Sequence, residues 1–362
     1  MISIAKPIID ENEKRLVLEV LESGELASGR YVKQFEEMFA AYTGVSYGVA
    51  ASSGTTALHA ALIAMGIGPG DKVVTTPFSF IASANAILYC GAVPVFCDVK
   101  SDTFHIDPIK LEEVLQKEKD VKAVIVVHLY GLPADMKEIC EIADRYQVLV
   151  LEDCAQSHGA SYQGKTVGSL GSAGAFSFYP TKNMTTGEGG LITTNLQSIA
   201  EKARCFINHG QMERYNHVML GHNFRLTNIQ AAIGIAQLGK INDFNQRRLH
   251  NANYLNQNIH VDWAQKPFVP EDRTHVYHQY TLKLSVDRER FIAHLQENQI
   301  GYGLHYQTTI PNQPVYRELG YRAEEFPVSL SLAQSVISLP VHPSLTNEEL
   351  EKVCDAVNSF KG

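Results

Sequence analysis

Four short segments of the chain bring together residue types that can do chemistry. The first is Ser52-Ser53-Gly54-Thr55-Thr56. Set between an apolar strand and a helix, its backbone N–H groups and hydroxyls, with the helix dipole behind them, suit a phosphate. Serine and threonine are equally ordinary helix caps, so this segment alone is a weak signal. The second is Leu149-Val150-Leu151-Glu152-Asp153-Cys154-Ala155-Gln156. It puts Asp153 where a buried parallel strand ends, on the ligand edge of an α/β sheet. A carboxylate there must meet a cation or hydrogen-bond donors, unless it only caps the next element. The third is Phe176-Ser177-Phe178-Tyr179-Pro180-Thr181-Lys182-Asn183. Lys182 follows a strand, on a loop constrained by Pro180 and leading into Gly187-Glu188-Gly189-Gly190. An isolated lysine is usually solvated, but few other charges surround this one. Burial lowers a lysine pKa and makes the amine a nucleophile. The fourth is Gly221-His222-Asn223-Phe224-Arg225-Leu226, where Asn223 and Arg225 alternate with apolar residues. Its plain reading is a loop with a helix cap.

The combination is more specific than its parts. A phosphate cradle, a carboxylate, a lysine nucleophile and no set of metal ligands describe a site for pyridoxal 5'-phosphate. That cofactor needs its phosphate anchored, its aldehyde held as a lysine imine and its ring nitrogen protonated, so that the ring acts as an electron sink. His275 and His278 have no third ligand at suitable spacing, so no metal is expected.

The elements that must position these residues alternate along the chain. Phe35, Met38, Phe39 and Tyr42 recur at helical spacing before Gly44. Strands are predicted at Tyr47–Ala51, Lys72–Thr76, Pro94–Val99, Val121–Val127, Val148–Glu152, Ala175–Phe178 and Leu191–Thr194. Val121–Val127 is a continuous β-branched run, hence buried on both faces. Helices are predicted at Ser52–Gly66, Ser79–Cys90, Pro108–Gln116, Ala134–Tyr146, Leu196–Ile207 and Asn228–Asn256. This is β-α-β-α order, so an α/β fold with a mostly parallel sheet. Beyond about residue 260 the texture changes. Val276–Leu284 alternates like an antiparallel strand, a helix runs from the cap Asp287 to Gln299 with Gly301 after it, and Thr346…Glu349 opens a last helix with a capping box. The reading is a large α/β domain over 1–245 and a smaller α+β domain over 246–362.

Composition excludes other classes. The chain has 362 residues, 45% hydrophobic and 19% charged, with a net charge of -8. No Lys/Arg run exceeds two residues, so nucleic acid is not an expected partner. Apolar stretches fall short of the ~18 residues that span a bilayer, and MISIAKPIIDENEKR lacks the pattern of a signal peptide, so a cytoplasmic protein is expected. The six cysteines show no C-x-x-C spacing and are expected to be small buried hydrophobes.

In SSGTTALHAAL, TTPFSFIASANAI, LEDCAQSHGA, FSFYPTKNMTTGEGG and HNFRLTNIQAA the sequence resembles the DegT/DnrJ/EryC1/StrS family of sugar aminotransferases, which have pyridoxal phosphate fold type I. The resemblance implies a seven-stranded-type sheet in the large domain and assigns roles. Lys182 would hold the cofactor as an imine and later move a proton as acid and base. Asp153 would bind the pyridinium nitrogen, and Gln156 would hydrogen-bond near the ring hydroxyl. Gly54, Thr55 and Ser177 would hold the phosphate, and Phe80 would stack on the ring. Asn223 would reach the phosphate of a neighbouring subunit, which implies a homodimer with shared sites. Tyr215, His305 and Tyr306 match positions that often line the sugar pocket, and each is equally readable as a packed side chain. Where many relatives have Ser-Gly-Pro, this chain has Ser28-Gly29-Arg30; Arg30 either contacts a diphosphate or is a solvated helix start. Some relatives with histidine in place of the lysine are dehydratases, so Lys182 favours amino transfer. The implied reaction is ping-pong: an amino acid, expected to be L-glutamate with glutamine as the alternative, converts the cofactor to pyridoxamine 5'-phosphate, and a keto-sugar nucleotide takes the amine. A 4-keto-6-deoxy sugar leads and a 3-keto sugar follows closely; His128–Gly131 looks like both groups and does not decide between them. A different reaction on the same cofactor, or a non-catalytic regulator, are the alternatives.

Overall fold

The computed structural model describes residues 1–362. Seven strands form the main sheet: β1 (Tyr47–Ala51), β2 (Lys72–Thr75), β3 (Val93–Phe96), β4 (Val121–Val127), β5 (Leu149–Asp153), β6 (Ala173–Ser177) and β7 (Gly190–Thr194). Their order is β1-β7-β6-β5-β4-β2-β3. Only β7 is reversed, running antiparallel to both β1 and β6, while the remaining pairs are parallel. All the other strands therefore end on one edge of the sheet.

Nine helices precede or cover that sheet: α1 (Glu11–Ser23), α2 (Arg30–Thr43), α3 (Gly54–Ala64), α4 (Ala82–Tyr89), α5 (Pro108–Lys117), α6 (Met136–Tyr146), α7 (Gln197–Ile207), α8 (Asn228–Leu238) and α9 (Ile241–Asn258). Successive strand residues face opposite sides, and the cores follow that alternation. Val49, Ala123, Ile125, Leu151, Ala173 and Ala175 pack under α3, α4 and α7. On the other side Ala50 and Phe176 pack with α2 and α8, and Val124, Val126 and Val150 with α5 and α6. Each fully buried Val, Ile or Leu contributes roughly 1.5–3 kcal/mol.

Two helix predictions change in ways that bear on the site. The stretch expected as one helix over 228–256 is two helices, α8 and α9, parted at Gly239-Lys240. Glycine is a poor helix former, and Lys240 is tied sideways to Asp10 at 3.0 Å and to the buried Glu13. The helix expected from Ser79 starts at Ala82, which leaves Ser79 on a loop. α1 was not anticipated, although Asp10 and Glu13 form a capping box at its start.

The second unit is a three-stranded antiparallel sheet of β8 (Ala264–Gln265), β9 (Tyr280–Leu284) and β10 (Val336–Leu339), packed by helices Arg288–Glu297 and Asn347–Ser359. Thr346 and Glu349 form the expected capping box, and Leu350, Val353, Cys354 and Val357 are buried. The left-handed residue after the preceding helix is Gln299 rather than Gly301. A division at 245 falls inside α9, whose Ile241 joins the large core and whose Ala252 and Leu255 join the small one. Ile2 also packs in the small core and bridges to Ile300, so the first residues cross to the second unit. The strand expected over 276–284 begins only at Tyr280. Residues 276–279 instead run along the Tyr130–Gly131 turn, where Val276 N donates to Gly131 O and Gln279 N to Tyr130 O. No helix is long and apolar enough to cross a membrane. All six cysteines are free, five buried and Cys140 partly so.

Candidate active site

The cradle forms where β1 passes into α3. Ser53 caps the helix: its hydroxyl accepts from Thr56 N at 3.1 Å, and its own N–H donates to Thr56 Oγ1 at 2.9 Å. That box leaves the N–H groups of Gly54 and Thr55 without a partner in the chain. Ser177, at the end of β6, lies on the same face as Ala173 and Ala175, against Gly54. A Cβ on Gly54 would stand 2.6 Å from Ser177 Cβ and 3.1 Å from its Oγ. Gly190 is equally required, since a Cβ there would meet Ser53 O at 2.2 Å. Two free N–H groups, the unbonded hydroxyls of Thr55 and Ser177 and an 11-residue helix behind them fit a phosphate. G54A forces rigid groups apart at a cost of about 1–3 kcal/mol, so its cofactor Kd is expected to rise roughly 5- to 150-fold. Equilibrium titration with pyridoxal phosphate measures this, and an unchanged Kd would refute the cradle.

Asp153 ends β5 on the same face. Its Oδ2 accepts from Ser83 Oγ at 2.8 Å and its Oδ1 from Ala155 N at 3.1 Å. Burial raises its pKa, opposed by those two bonds and by the charge of Lys182. A buried carboxylate in this state gains from one more donor or cation, which a protonated ring nitrogen would be. The preceding Glu152 faces the other way and is fully occupied. It accepts from the N–H groups of Gly168, Leu170 and Gly171, each at 2.8 Å, and lies 3.0 Å from His128 Nε2. His128, Glu152 and Cys154 form a buried trio with metal-ligand atoms close together. However, Ala134 N donates to His128 Nδ1 at 3.0 Å, so Nε2 carries the proton and donates to Glu152. The trio is a hydrogen-bonded strut, with no nitrogen lone pair free for a cation.

Lys182 is presented by a closed loop. Phe178 N donates to Gly189 O, Thr186 N to Phe178 O, and Lys182 N to Tyr179 O, all within 3.0 Å. Burial lowers the Lys182 pKa to about 8, while Asp153 opposes the shift. The surrounding imidazoles are held neutral: burial pushes His158 down to about 3, His305 to about 4 and His278 well below its usual value, with Lys182 adding to each. The sign for Lys182 is clear. A lowered pKa means the neutral amine predominates above about pH 8 instead of above the ordinary 10.5. Imine formation by the cofactor-free enzyme should therefore rise with pH and level off just above 8. Stopped-flow absorbance gives the profile, and a rate still climbing towards pH 10.5 would contradict the lowered value.

Gln156 joins this centre to the second unit. Its Oε1 accepts from Tyr130 N at 2.7 Å, which fixes the amide so that Nε2 donates to Tyr306 OH at 3.0 Å. Tyr130 holds a left-handed backbone, φ 60°, and its hydroxyl donates to His305 O. Tyr306 then lies 6.1 Å from the half-exposed ring of Phe80. Beside this pair opens a cavity of about 310 Å³, lined by Ser79, Leu304, Gln307, Thr308 and Gln313 among others and by no charged side chain.

Charges and hydrogen bonds link Asp153, Lys182, Gln156, His305 and Tyr306, the ring of Phe80 lies against Tyr306, and Gly54, Thr55 and Ser177 stand together at the same strand-end edge of the sheet. Three expected residues lie elsewhere in this single chain. Asn223 is exposed and makes no side-chain hydrogen bond, though the next residue, Phe224, accepts from Ser52 N at 2.8 Å. Tyr215 is 80% exposed on the hairpin 211–217, touched only by Arg214. Arg30 opens α2, exposed, 3.4 Å from Glu25 and over the ring of Tyr31; it has the surroundings of a solvated helix start. Four residues of the centre were not singled out for it: Ser83, Tyr130, His158 and His278. Ser79 and Ser83 are four apart on an otherwise apolar segment, which is a signal for the first. His158 stands two residues past Gln156 in the same motif. Nothing local marks Tyr130 or His278, because contacts distant in sequence bring them in.

The sheet order is that of a pyridoxal-phosphate enzyme of fold type I, and Lys182, Asp153 and the Gly54–Ser177 edge are residues that fit the cofactor. The chain belongs to the DegT/DnrJ/EryC1/StrS aminotransferase family, whose family model matches residues 7–358. It is similar to dTDP-3-amino-3,6-dideoxy-alpha-D-galactopyranose transaminase of Aneurinibacillus thermoaerophilus, at 41% identity over 94% of this chain and 93% of that one. A pleiotropic regulatory protein of Geobacillus stearothermophilus is 40% identical over 96% and 93% of the two chains. Among solved structures, DesV of S. venezuelae in complex with a ketimine intermediate superposes with a TM-score of 0.92 at 35% identity, covering 96% of this chain and 93% of that one.

Proposed function

We propose that the protein transfers an amino group from L-glutamate to a keto-sugar carried on a nucleoside diphosphate, with the ketone at C4 of a 6-deoxy sugar. The observation that carries this reading is that the Lys182–Asp153 pair and the Gly54–Ser177 cradle stand at one edge of the main sheet. Pyridoxal phosphate, when bound, supplies the electron sink that lets an amine leave one carbon and join another. Gly54, Thr55 and Ser177 would anchor its phosphate. Asp153, steadied by Ser83, would keep its ring nitrogen protonated, and Phe80 and Gln156 would hold the ring. Lys182, with its lowered pKa, would hold the cofactor by its aldehyde and would move a proton to and from the reacting carbon near neutral pH. Tyr306 and His305 face the sugar. The uncharged cavity beside Phe80 suits a neutral, partly deoxygenated ring better than a charged one. Tyr215 and Arg30, both exposed in the single chain, would reach substrate only in an assembly.

A second position for the ketone, C3, is favoured by the 3-amino sugar in the name of the 41%-identical transaminase. The regulatory name of the 40%-identical relative invites a non-catalytic reading, and the complete lysine and aspartate pair speaks against it. Incubation with glutamate and a panel of 3-keto and 4-keto nucleoside diphosphate sugars, with the amine located by NMR, decides between C4 and C3; no amination of any of them would overturn the reading.

The working unit is a homodimer with shared sites. Asn223 has no partner of its own, and Met212, Tyr215, Val218 and Leu220 expose apolar surface beside it, which a second copy would cover. A heterodimer of one K182A and one N223A chain should regain one working site of two, because one site then has both residues intact. If sites are not shared, neither chain of that heterodimer works.

A further inference from the structure

Behind Lys182 lies a cation with no counter-ion. Arg248, on α9, is only 5% exposed. Its Nη1 donates to Tyr277 O at 3.0 Å and to His278 O at 3.4 Å. Its Nε is buried without any partner, and no hydrogen bond is made by its Nη2. No carboxylate pairs with it, so burial alone moves its pKa, down to about 10. A buried charge left in this state is costly, and proteins ordinarily pair it.

The space next to this guanidinium is a small cavity of about 10 Å³, lined by Lys6, Pro180, Lys182, Asn183, Arg248 and Pro343 among others. Three of its lining residues are cationic and none is acidic. A cavity of that size admits about one water-sized group. The Nε and Nη2 of a guanidinium lie along one edge and donate in parallel, which is the edge that takes carboxylates side-on.

We propose that this cavity is a binding site for a small monovalent anion, held by the free Nε/Nη2 edge of Arg248 beside Lys182. The anion is either a free halide or one carboxylate group of an organic acid such as the amino donor. The rival occupant is water, which would also satisfy the unpartnered Oδ1 of Asn183. The assignment does not depend on which sugar the enzyme aminates.

Crystals of the holoenzyme soaked in sodium bromide test it. An anomalous peak is expected in contact with the Arg248 edge. Glutarate, a dicarboxylate without an amine, separates the two sources: displacement of that peak points to a carboxylate site, and persistence to a free-halide site. In solution, sodium bromide should raise Tm above that in sodium tetrafluoroborate of equal ionic strength, whose bulky, weakly coordinating anion is neither a halide nor a carboxylate, by about 1–2 °C at tenfold excess over Kd. R248K keeps the charge without the edge and should lose this difference, as should R248Q. Water at the Arg248 edge in crystals that bind bromide elsewhere would overturn the proposal. So would a bromide effect on Tm that survives in R248K.

Discussion

K182A is expected to lose both the covalent cofactor linkage and turnover, the latter by at least about 10³-fold, within the range that positioned acid/base and nucleophilic groups contribute. The loss should fall on both half-reactions, because one amine serves each. Phosphate binding should survive, since Gly54, Thr55 and Ser177 are untouched, so the variant should still bind cofactor, only without the imine band. The fold should tolerate the change: Lys182 sits on a loop closed by Phe178, Thr186 and Gly189, and its side chain makes no hydrogen bond. Borohydride reduction followed by peptide mapping checks this directly in the parent protein. Label on any other lysine would reassign the site.

D153A and D153N carry the second large effect. Without a carboxylate opposite the ring nitrogen the electron sink fails, and turnover should fall by about 10²–10⁴-fold. Stability should move the other way. Burial raises the Asp153 pKa in the cofactor-free protein, so its ionised form is disfavoured in the folded state. That penalty is present above the unfolded pKa of an aspartate and vanishes as pH falls below it. D153N removes the charge; its amide oxygen can still accept from Ala155 N while its amide N–H donates to Ser83 Oγ, so cofactor-free D153N should melt no lower than the parent at pH 7. Scanning calorimetry beside steady-state kinetics gives both numbers. Full activity in D153N would contradict the role, and a large fall in Tm would mean that the lost turnover reflects damage to the fold.

Much of this was legible in the sequence because buried parallel strands announce themselves. Val121–Val127 and the strand before Asp153 are apolar runs, and chemistry placed immediately after such runs falls on one sheet edge. Alternation even decides which of two adjacent carboxylates serves the site: Asp153 shares the face of Leu151, and Glu152 that of Val150. The supports were not legible. Tyr130 reaches Gln156 through a left-handed backbone, His278 arrives on a segment whose alternation resembles a strand, and the α8–α9 break depends on the tie of Lys240 to Asp10 and Glu13. Tyr215 and Asn223 are exposed, and only in the proposed dimer would they meet surface that one chain does not contain. Arg30 shows the limit of a motif departure, which marks a position without saying what it touches.

The measurement that bears most directly on the central claim is the absorbance spectrum of the purified protein, supplied with pyridoxal phosphate, before and after L-glutamate. A band of lysine-linked cofactor that fades as a pyridoxamine phosphate band grows is the predicted result, and it would establish the first half of a transamination on a lysine-bound cofactor. No lysine-linked band at all, with cofactor in excess and pH above 8, would contradict the account at its root.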